Sequence, residues 1–439
     1  MNMNKLKYML VACLVGFLGQ TALAQDTITV FDKALGANEV IDIPENIIAD
    51  IDGLLAEWYS KTYLDQEEEC HMKDENPFFE TDVYINRLHR MPTVIEMPHN
   101  EVVQKFIDMY SGRLRKSVSF MLAANNFYMP IFEEALETNG LPLELKYLPV
   151  IESALNPKAT SRVGAAGLWQ FMLTTGKQYG LEVNSLIDER RDPIKSSYAA
   201  ARYLKDLYAI FGDWHLVIAA YNCGPGNVNK AIHRAGDVMD YWKIYNYLPQ
   251  ETRGYVPSYI AANYIMNYYC DHNICPYESR LPAQTDTIQI TRDLYMEQIS
   301  ELCDISMSEI EALNPQYRTN LIPGETKPCT LRLPSSAIGS FISQQDTIYE
   351  HRLSDLQSKR RVVEVQTVAS PKNSKNAKNN KSKGNSAGNA SAGGTKYTIK
   401  KGDTLGAIAS RNHTTVAKLQ QLNGIKGTNI QVGKTIRVK

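Results

Sequence analysis

Apolar residues recur every three or four positions through much of the region 100–270. After Asn100 the recurring positions are Val103, Phe106, Ile107, Tyr110, Leu114, Val118, Met121 and Leu122. This spacing predicts an amphipathic helix with its apolar face in a core. Residues 214–221 are apolar on every side, which predicts a buried central helix. Alternating strand patterns are almost absent here, so the region is predicted to be mainly α-helical.

Capping and helix-breaking residues divide this region into separate helices. Asp192 followed by Pro193 is a favourable helix start, and Gly212 suits the end of that helix. Gly140 suits the end of an earlier helix. Pro149 interrupts the next apolar run, where the loss of a backbone donor is expected to kink or restart the helix.

A strand–helix–helix–strand pattern occurs twice in the C-terminal part of the chain, and both copies predict a small βααβ module. The second copy, 397–438, shows the pattern more clearly than the first. The first copy comprises a strand at 287–290, helices at 296–303 and 308–313, and a strand at 331–333.

The composition fits several folded domains joined by polar segments. A length of 439 residues suggests two or three domains, and 44% hydrophobic with 22% charged residues is typical of globular proteins. The net charge of −1 gives no electrostatic basis for nucleic acid as the main partner. Residues 351–395 are predicted to be a flexible linker, because 370–395 has almost no apolar residues to bury. Residues 25–98, with an acidic patch at 65–69, are predicted to be a solvated N-terminal strap.

Residues 1–24 have the features of a secretory signal peptide: two lysines, an apolar run over 8–18 and small residues ending at Ala24. They predict an exported protein of the periplasm or cell envelope. A retained membrane anchor is the alternative, although the run is short for a bilayer. The residues before Cys13 also resemble a lipobox, so membrane association is expected only if Cys13 is lipidated.

Six of the seven cysteines remain after removal of Cys13, and export would permit disulfides. Cys270 and Cys275 flank a short loop that a disulfide could close, and Cys303 and Cys329 could staple the first βααβ module. Six cysteines allow 15 pairings, so the spacing does not select among them. No Cys-x2-Cys pair or histidine cluster indicates a metal site.

One carboxylate has an unusual setting. Glu152 ends an apolar run and precedes the small-residue segment 164–167 and an aromatic stretch. Burial there would raise its pKa, and the negative end of a helix would add to the shift, leaving a carboxylic acid able to donate a proton near neutral pH. The alternative is an ordinary salt bridge with Lys146 or Lys158.

Three ordered motifs carry a family resemblance: Glu152-Ser153, then 167–170 (GLWQ), then 220–224 (AYNCG). They resemble the lytic transglycosylases of glycoside hydrolase family 23, and the whole chain is similar to the membrane-bound D type. The resemblance implies a lysozyme-like α-helical catalytic domain followed by small LysM modules. The implied ranges are 99–275 for the catalytic domain, 284–334 for a degenerate LysM-like module and 396–439 for a LysM domain.

The resemblance also implies a reaction. Glu152 would act as general acid and then as base in cleaving the MurNAc–GlcNAc β-1,4 bond of peptidoglycan. The muramic 6-hydroxyl would attack intramolecularly and form 1,6-anhydroMurNAc. No water, cofactor or metal is required, and the expected partners are peptidoglycan glycan strands.

Further site residues follow from these motifs and from the Glu-Thr-x-x-Tyr-Val-Pro pattern at 251–257. Ser153 and Gln170 would hydrogen-bond sugars or order the site. Tyr221 would contact the Glu152 carboxyl, and Asn222 would bind substrate or hold its loop. Tyr255 would complete the cleft opposite Glu152.

The LysM resemblance implies glycan binding by five residues of the second module. Outside it, Trp169 stands where many family members have methionine, which puts the cleft shape in question. The five residues are Gly402, Asp403, Thr404, Leu405 and Asn423.

Two other functions remain open from the sequence. One is a lysozyme-type hydrolase, which would add water to its product. The other is a non-catalytic glycan-binding wall protein in which the lysozyme-like fold is only a scaffold. In that case Tyr221 and Trp169 would simply be core aromatics, Asn222 a turn former and Ser153 a local cap.

Overall fold

Helices pack around one core between residues 81 and 268 in the computed structural model. The structure describes residues 27–32, 37–43, 64–65, 75–279, 281–361, 396–399, 404–412, 414–423, 425 and 434–438. The helices of this part are α1 Thr81–Arg90, α2 Glu101–Ser111, α3 Arg115–Thr138, α4 Leu148–Ser153, α5 Leu173–Gln178, α6 Pro193–Phe211, α7 Trp214–Cys223, α8 Pro225–Arg234, α9 Tyr241–Ile244, α10 Gln250–Arg253 and α11 Tyr255–Tyr268.

The long helix predicted after Asn100 is two helices. Asn100 caps α2 by accepting a hydrogen bond from the Val103 amide, and the chain breaks at Gly112 before α3 begins. A Cβ on Gly112 would lie 2.7 Å from the Asp108 carbonyl oxygen, so the break needs glycine. The predicted apolar face is buried: Val103, Phe106 and their partners on both helices lie in the core.

The predicted caps and breaks elsewhere are confirmed. Asp192 accepts hydrogen bonds from the amides of Ile194 and Lys195 at the start of α6, and Gly212 ends α6 with a φ of 63°. Pro149 restarts the chain as α4 after a 3₁₀ turn, Leu143–Tyr147. The predicted central helix is α7, whose residues from His215 to Ala220 are buried.

The N-terminal region is not merely a solvated strap. Strands β1 Thr27–Asp32 and β2 Ala37–Asp42 form an antiparallel hairpin, and Ile41 is fully buried in the helical core. The hairpin braces α10 through an ion pair between Glu39 and Arg253 at 2.9 Å. Strand β3 Leu64–Asp65 pairs with β4 Glu278–Ser279. Buried apolar residues of the hairpin anchor it in the core. The acidic patch of the region had instead suggested a solvated segment.

The first βααβ module has the predicted order with additional elements. Strand β5 Thr285–Ile290 pairs with β8 Cys329–Pro334, and β6 Asp293–Tyr295 pairs with β7 Leu321–Pro323, all antiparallel. The helices of the module are α12 Met296–Cys303, α13 Met307–Leu313, α14 Ser335–Ser343 and α15 Gln345–Glu350.

This module is docked onto the helical domain. The Asp188 amide donates to the Gln316 carbonyl and the Arg318 amide donates to the Leu186 carbonyl, both at 2.8 Å. Ile187 is buried in the core of the module. The segment 186–188 therefore belongs to both units of structure.

The predicted linker begins as a helix, α16 Leu353–Arg361, and residues 362–395 lie outside the described residues. The second module forms a separate unit. Its strands β9 Lys396–Thr398 and β10 Thr435–Arg437 pair antiparallel, and its helices are α17 Leu405–Arg411 and α18 Val416–Asn423.

Neither of the two disulfides that the cysteine spacing allowed is formed. Cys270, Cys303 and Cys329 are free thiols, and Cys275 is disulfide-bonded, so neither Cys270–Cys275 nor Cys303–Cys329 forms. The spacing of cysteines along the chain does not determine which sulfur atoms are close enough to bond in the folded protein. The predicted signal peptide 1–24, with Cys13, lies outside the described residues. Within the described part of the chain, no helix is both long and apolar enough to cross a membrane.

Candidate active site

Glu152 lies near the end of the short helix α4, at a cleft of about 340 Å³. Helix α4 ends there because Ala154 and Leu155 adopt left-handed backbone conformations, with φ of 48° and 61°. The Glu152 residue is only 8% exposed. The cleft is lined by Ile151, Glu152, Ser161, Val163, Ala165, Gln170, Phe171, Met172, Thr175, Tyr203, Tyr221, Asn222, Cys223, Gly224, Glu251 and Tyr255.

The surroundings of Glu152 favour the protonated acid. Burial raises the pKa of Glu152 to about 7, the hydrogen bond donated by the Tyr255 hydroxyl opposes this shift, and the negative charge of Glu251 adds to it. The salt-bridge alternative is wrong, because Lys146 pairs with Glu133 and Lys158 lies 3.7 Å from Glu311.

The tyrosine that contacts the acid is not the one expected. Tyr255, at the start of α11, donates to the Glu152 carboxyl, whereas the Tyr221 hydroxyl donates to the Trp169 carbonyl at 2.8 Å. Tyr221 still lines the cleft, and the charge of Glu152 contributes to the raised pKa of Tyr221, after burial. Tyr221 is on α7, and its hydroxyl bonds to the loop that contains Trp169. The residue that bonds to the Glu152 carboxyl is on α11.

Ser153 and Gln170 order the loop that follows α4. The buried Ser153 hydroxyl is within hydrogen-bond distance of the carbonyls of Pro149 and Leu168, at 3.1 and 2.9 Å. Gln170 has a φ of 46° and its amide donates to the Gly167 carbonyl at 2.8 Å. Gln170 lines the cleft, whereas Ser153 does not. Ser153 is therefore a structural tie between helix and loop.

Asn222 and Trp169 have packing roles. The Asn222 side-chain oxygen accepts from the Thr252 hydroxyl at 2.8 Å and so joins α7 to α10. Asn222 also lines the cleft. Trp169 is fully buried, donates to the Ser197 hydroxyl at 2.9 Å and is not among the described residues that line the cleft. The large Trp169 side chain therefore shapes the core behind the cleft and is not part of the cleft surface.

A buried ion pair that sequence reasoning missed holds the cleft loop. The Asp188 carboxylate is fully buried and accepts from Arg190 Nε and Nη2 at 2.9 and 2.8 Å. Burial would raise its pKa, but the hydrogen bonds and charge of Arg190 hold the pKa of Asp188 below its usual value. Arg190 Nη1 also donates to the carbonyls of Gly164 and Phe171, at 2.8 and 3.1 Å. The Asp-x-Arg spacing before the α6 cap was the available signal.

Glu251 is the second missed residue. It lines the cleft and its charge raises the pKa of Glu152. It stands four residues before Tyr255, so the motif that indicated Tyr255 also contained it. Cys223, a free thiol at the cleft, has a pKa raised by burial.

The five candidate glycan-binding residues of the second module differ in what the structure shows of them. Gly402 and Asp403 lie outside the described residues, and Thr404 is exposed. Leu405 is buried in the module core. The Asn423 side chain exchanges two hydrogen bonds of 2.7 Å with the Arg437 backbone, so it closes the module. Among the described residues, no group of His, Cys, Asp or Glu could hold a metal ion.

Comparison with known families gives three matches. The transglycosylase SLT domain family matches residues 129–243. The LysM-like domain family of lytic transglycosylase MltD matches 284–350, and the LysM domain family matches 397–439.

The chain is also similar to several known proteins. The chain is 29% identical to the membrane-bound lytic murein transglycosylase D of Escherichia coli (strain K12) over 320 residues, which cover 71% of this chain and 63% of that protein. The chain thus spans less than two thirds of that relative. It is 33% identical to the soluble lytic murein transglycosylase of the same strain, over 30% of this chain and 22% of that protein. A solved structure of the 70 kDa soluble lytic transglycosylase from Escherichia coli aligns with a TM-score of 0.29 and 28% identity, covering 35% of this chain and 27% of that one.

We expect Gly167→Ala to destabilise the protein strongly. A Cβ at Gly167 would lie 1.8 Å from the Arg190 carbonyl oxygen, and φ is +87°. The free energy of unfolding should fall by roughly 3–5 kcal/mol. Gly180→Ala is the matched control, because Gly180 has a φ of +86° but open space around it. Its cost should be about 1–2 kcal/mol, and equal losses in urea denaturation would contradict the close approach.

Glu152→Gln should stabilise the protein in a pH-dependent manner. The folded pKa of about 7 exceeds the ordinary value of 4.5, so ionisation costs stability. The penalty is absent below pH 4.5, grows as pH rises towards 7 and is constant above it. The variant should therefore gain about 3 kcal/mol in free energy of unfolding near pH 8 and almost nothing below pH 4.5. Urea titrations at both pH values test this, with the exposed Glu137→Gln as control. A gain that does not depend on pH would contradict a raised pKa.

Proposed function

We propose that this chain, which carries a transglycosylase SLT domain followed by LysM-like and LysM domains, is a peptidoglycan lytic transglycosylase of the cell envelope. The observation that carries the proposal is one buried carboxyl at the cleft of the SLT domain, with its pKa raised to about 7. Such a group is protonated often enough near neutral pH to act as a general acid.

In the proposed reaction Glu152 protonates the glycosidic oxygen between MurNAc and GlcNAc as the β-1,4 bond breaks. The Glu152 carboxylate then accepts the proton of the muramic 6-hydroxyl as that oxygen attacks the anomeric carbon. The product is 1,6-anhydroMurNAc and no water is consumed. Tyr255 supports both steps, because its hydroxyl orients the carboxyl and stabilises the anion between them.

The proposed substrate is the glycan strand of peptidoglycan, and the proposed location is the periplasm or cell envelope. The LysM domain would hold the strand while the SLT domain cleaves it. The named relative is a membrane-bound murein transglycosylase, which agrees with this location.

A hydrolase is the second candidate, and Glu251 is the observation that favours it. Glycosidases that hydrolyse generally use two carboxylates, and Glu251 lines the same cleft as Glu152. The two candidates differ in one water in the product.

Mass spectrometry of soluble products from purified peptidoglycan tests the assignment. We expect anhydromuropeptides, with a loss of at least about a hundredfold in rate for Glu152→Gln, since general acid catalysis alone contributes roughly 10²–10⁴-fold. Products heavier by one water that disappear in Glu251→Gln would establish the hydrolase. If the unmodified protein binds glycan but releases no product, the protein is a non-catalytic wall protein.

The rate should depend on the protonation of Glu152. We expect kcat/KM to fall about tenfold per pH unit above pH 7, because the acid must be protonated. Tyr255→Phe removes a hydrogen bond that stabilises the carboxylate, so this limb should move to higher pH by roughly one unit while the maximal rate falls.

Tyr221→Phe is the matched control for that shift. Its hydroxyl donates to the Trp169 carbonyl, so its loss should leave the pH of the alkaline limb unchanged. An unchanged limb in Tyr255→Phe, or an equal shift in both variants, would contradict the role of Tyr255.

A further inference from the structure

A second cleft lies where the LysM-like module meets the helical domain. Its volume is about 630 Å³, and none of its lining residues also lines the cleft of Glu152. One wall comes from α3, another from the C-terminal part of α11 and the segment that follows it, and a third from Thr285 and Arg332 of the module. We call it the junction cleft.

Three aromatic residues are among those that line the junction cleft. Phe127, Tyr269 and Tyr277 are half-buried and line the cleft. Tyr277 stacks on Phe120 with the ring centroids 4.5 Å apart. The cleft therefore presents ring faces that are held in place before any ligand arrives.

The walls are joined rigidly. Leu281, which lines the cleft, packs with Leu313 of the module and against Phe127 of α3. The module is further held by the backbone hydrogen bonds of segment 186–188. A ligand in the cleft would thus meet a preformed site and not a gap between loosely tethered domains.

Hydrogen-bonding groups face the same space. The side chains of Asn125 and Asn126 line the cleft and make no hydrogen bond to any residue that the structure describes. Arg332 donates to the Thr285 hydroxyl at 2.8 Å and is the one charged residue among the described lining residues. The polar lining therefore consists of amides, hydroxyls and a single cation.

This chemistry selects among ligand classes. Stacked rings bind the apolar faces of sugar rings, and free side-chain amides pair with N-acetyl groups. One guanidinium matches an occasional carboxylate such as the lactyl group of a muramic residue. A single cation is too little for nucleic acid, whose affinity depends on many phosphate contacts.

We propose that the junction cleft is a second binding site for a strand of β-1,4-linked N-acetylated amino sugars. The inference rests on the proposed function for the polymer it names, but it assigns a site separate from Glu152. It gives the LysM-like module a role as one wall of that site. A strand held there would be retained between cleavage events.

Hydrogen–deuterium exchange on the full chain with Glu152→Gln tests binding without turnover. The probe is a hexamer of N-acetylglucosamine. We expect protection in peptides covering 120–131 and 276–285, with protection of the LysM domain as the internal sign that the hexamer is bound. Adding Ala283→Trp, an exposed lining position, should fill the cleft and abolish that protection while protection at 161–175 remains. Adding Asn246→Ala, an exposed asparagine outside both clefts, is the control.

Three results would overturn the proposal. The first is no protection at the junction cleft while the LysM domain is protected. The second is protection that Ala283→Trp leaves intact. The third is protection by stem-peptide-bearing muropeptides but not by the hexamer, which would assign the cleft to peptide.

A kinetic measurement separates this inference from the proposed function. With Glu152 intact, Asn125→Ala/Asn126→Ala should lower kcat/KM on long uncrosslinked glycan strands about five- to tenfold and leave turnover of short muropeptide oligomers unchanged. Equal losses on both substrates would overturn a separate site. Absence of any product from the unmodified protein would instead reject the proposed function, and the exchange experiment would still report on the cleft.

Discussion

The cleft is built around one buried carboxyl group, that of Glu152. The short helix that carries it and the tyrosine that contacts it are both held by tertiary packing. Helix α4 spans Leu148–Ser153, which is too short to be stable alone, so its position depends on tertiary packing. Pro149 starts the helix, and two left-handed residues stop it directly after the acid. Tyr255 then reaches the carboxyl from a helix about a hundred residues later in the chain. Burial raises the pKa of this carboxyl to about 7, and the Tyr255 hydroxyl remains as a hydrogen-bond donor for its charged form.

The Asp188–Arg190 pair gives the wall of the cleft its rigidity. Burying two charges is costly unless each finds good partners, and here the carboxylate accepts two hydrogen bonds from one arginine. The same arginine holds both ends of segment 164–171. Arg318 of the LysM-like module lies 3.3 Å from the Asp188 carboxylate. This ion pair adds to the backbone hydrogen bonds of segment 186–188, so the LysM-like module is packed against the helical domain beside the loop that lines the cleft.

The two βααβ modules share a closing device. Asn314 exchanges two hydrogen bonds of 2.8 Å with the Arg332 backbone, as Asn423 does with the Arg437 backbone. An asparagine at the end of the second helix thus joins that helix to the closing strand in both modules. This structural role explains why an asparagine recurs at that position in both modules.

The sequence alone was enough to predict the helical domain, the caps at Asp192 and Gly212, the order of the βααβ modules and the buried acid Glu152. These features depend on spacing and on residue type within a few positions. The tertiary structure alone decided that Tyr255 and not Tyr221 contacts Glu152, that Asp188 and Arg190 hold the cleft loop, and that Cys270 remains a free thiol. Such pairings depend on the angles and distances between helices, which are fixed by the packing of many side chains together, and no local period in the chain encodes them.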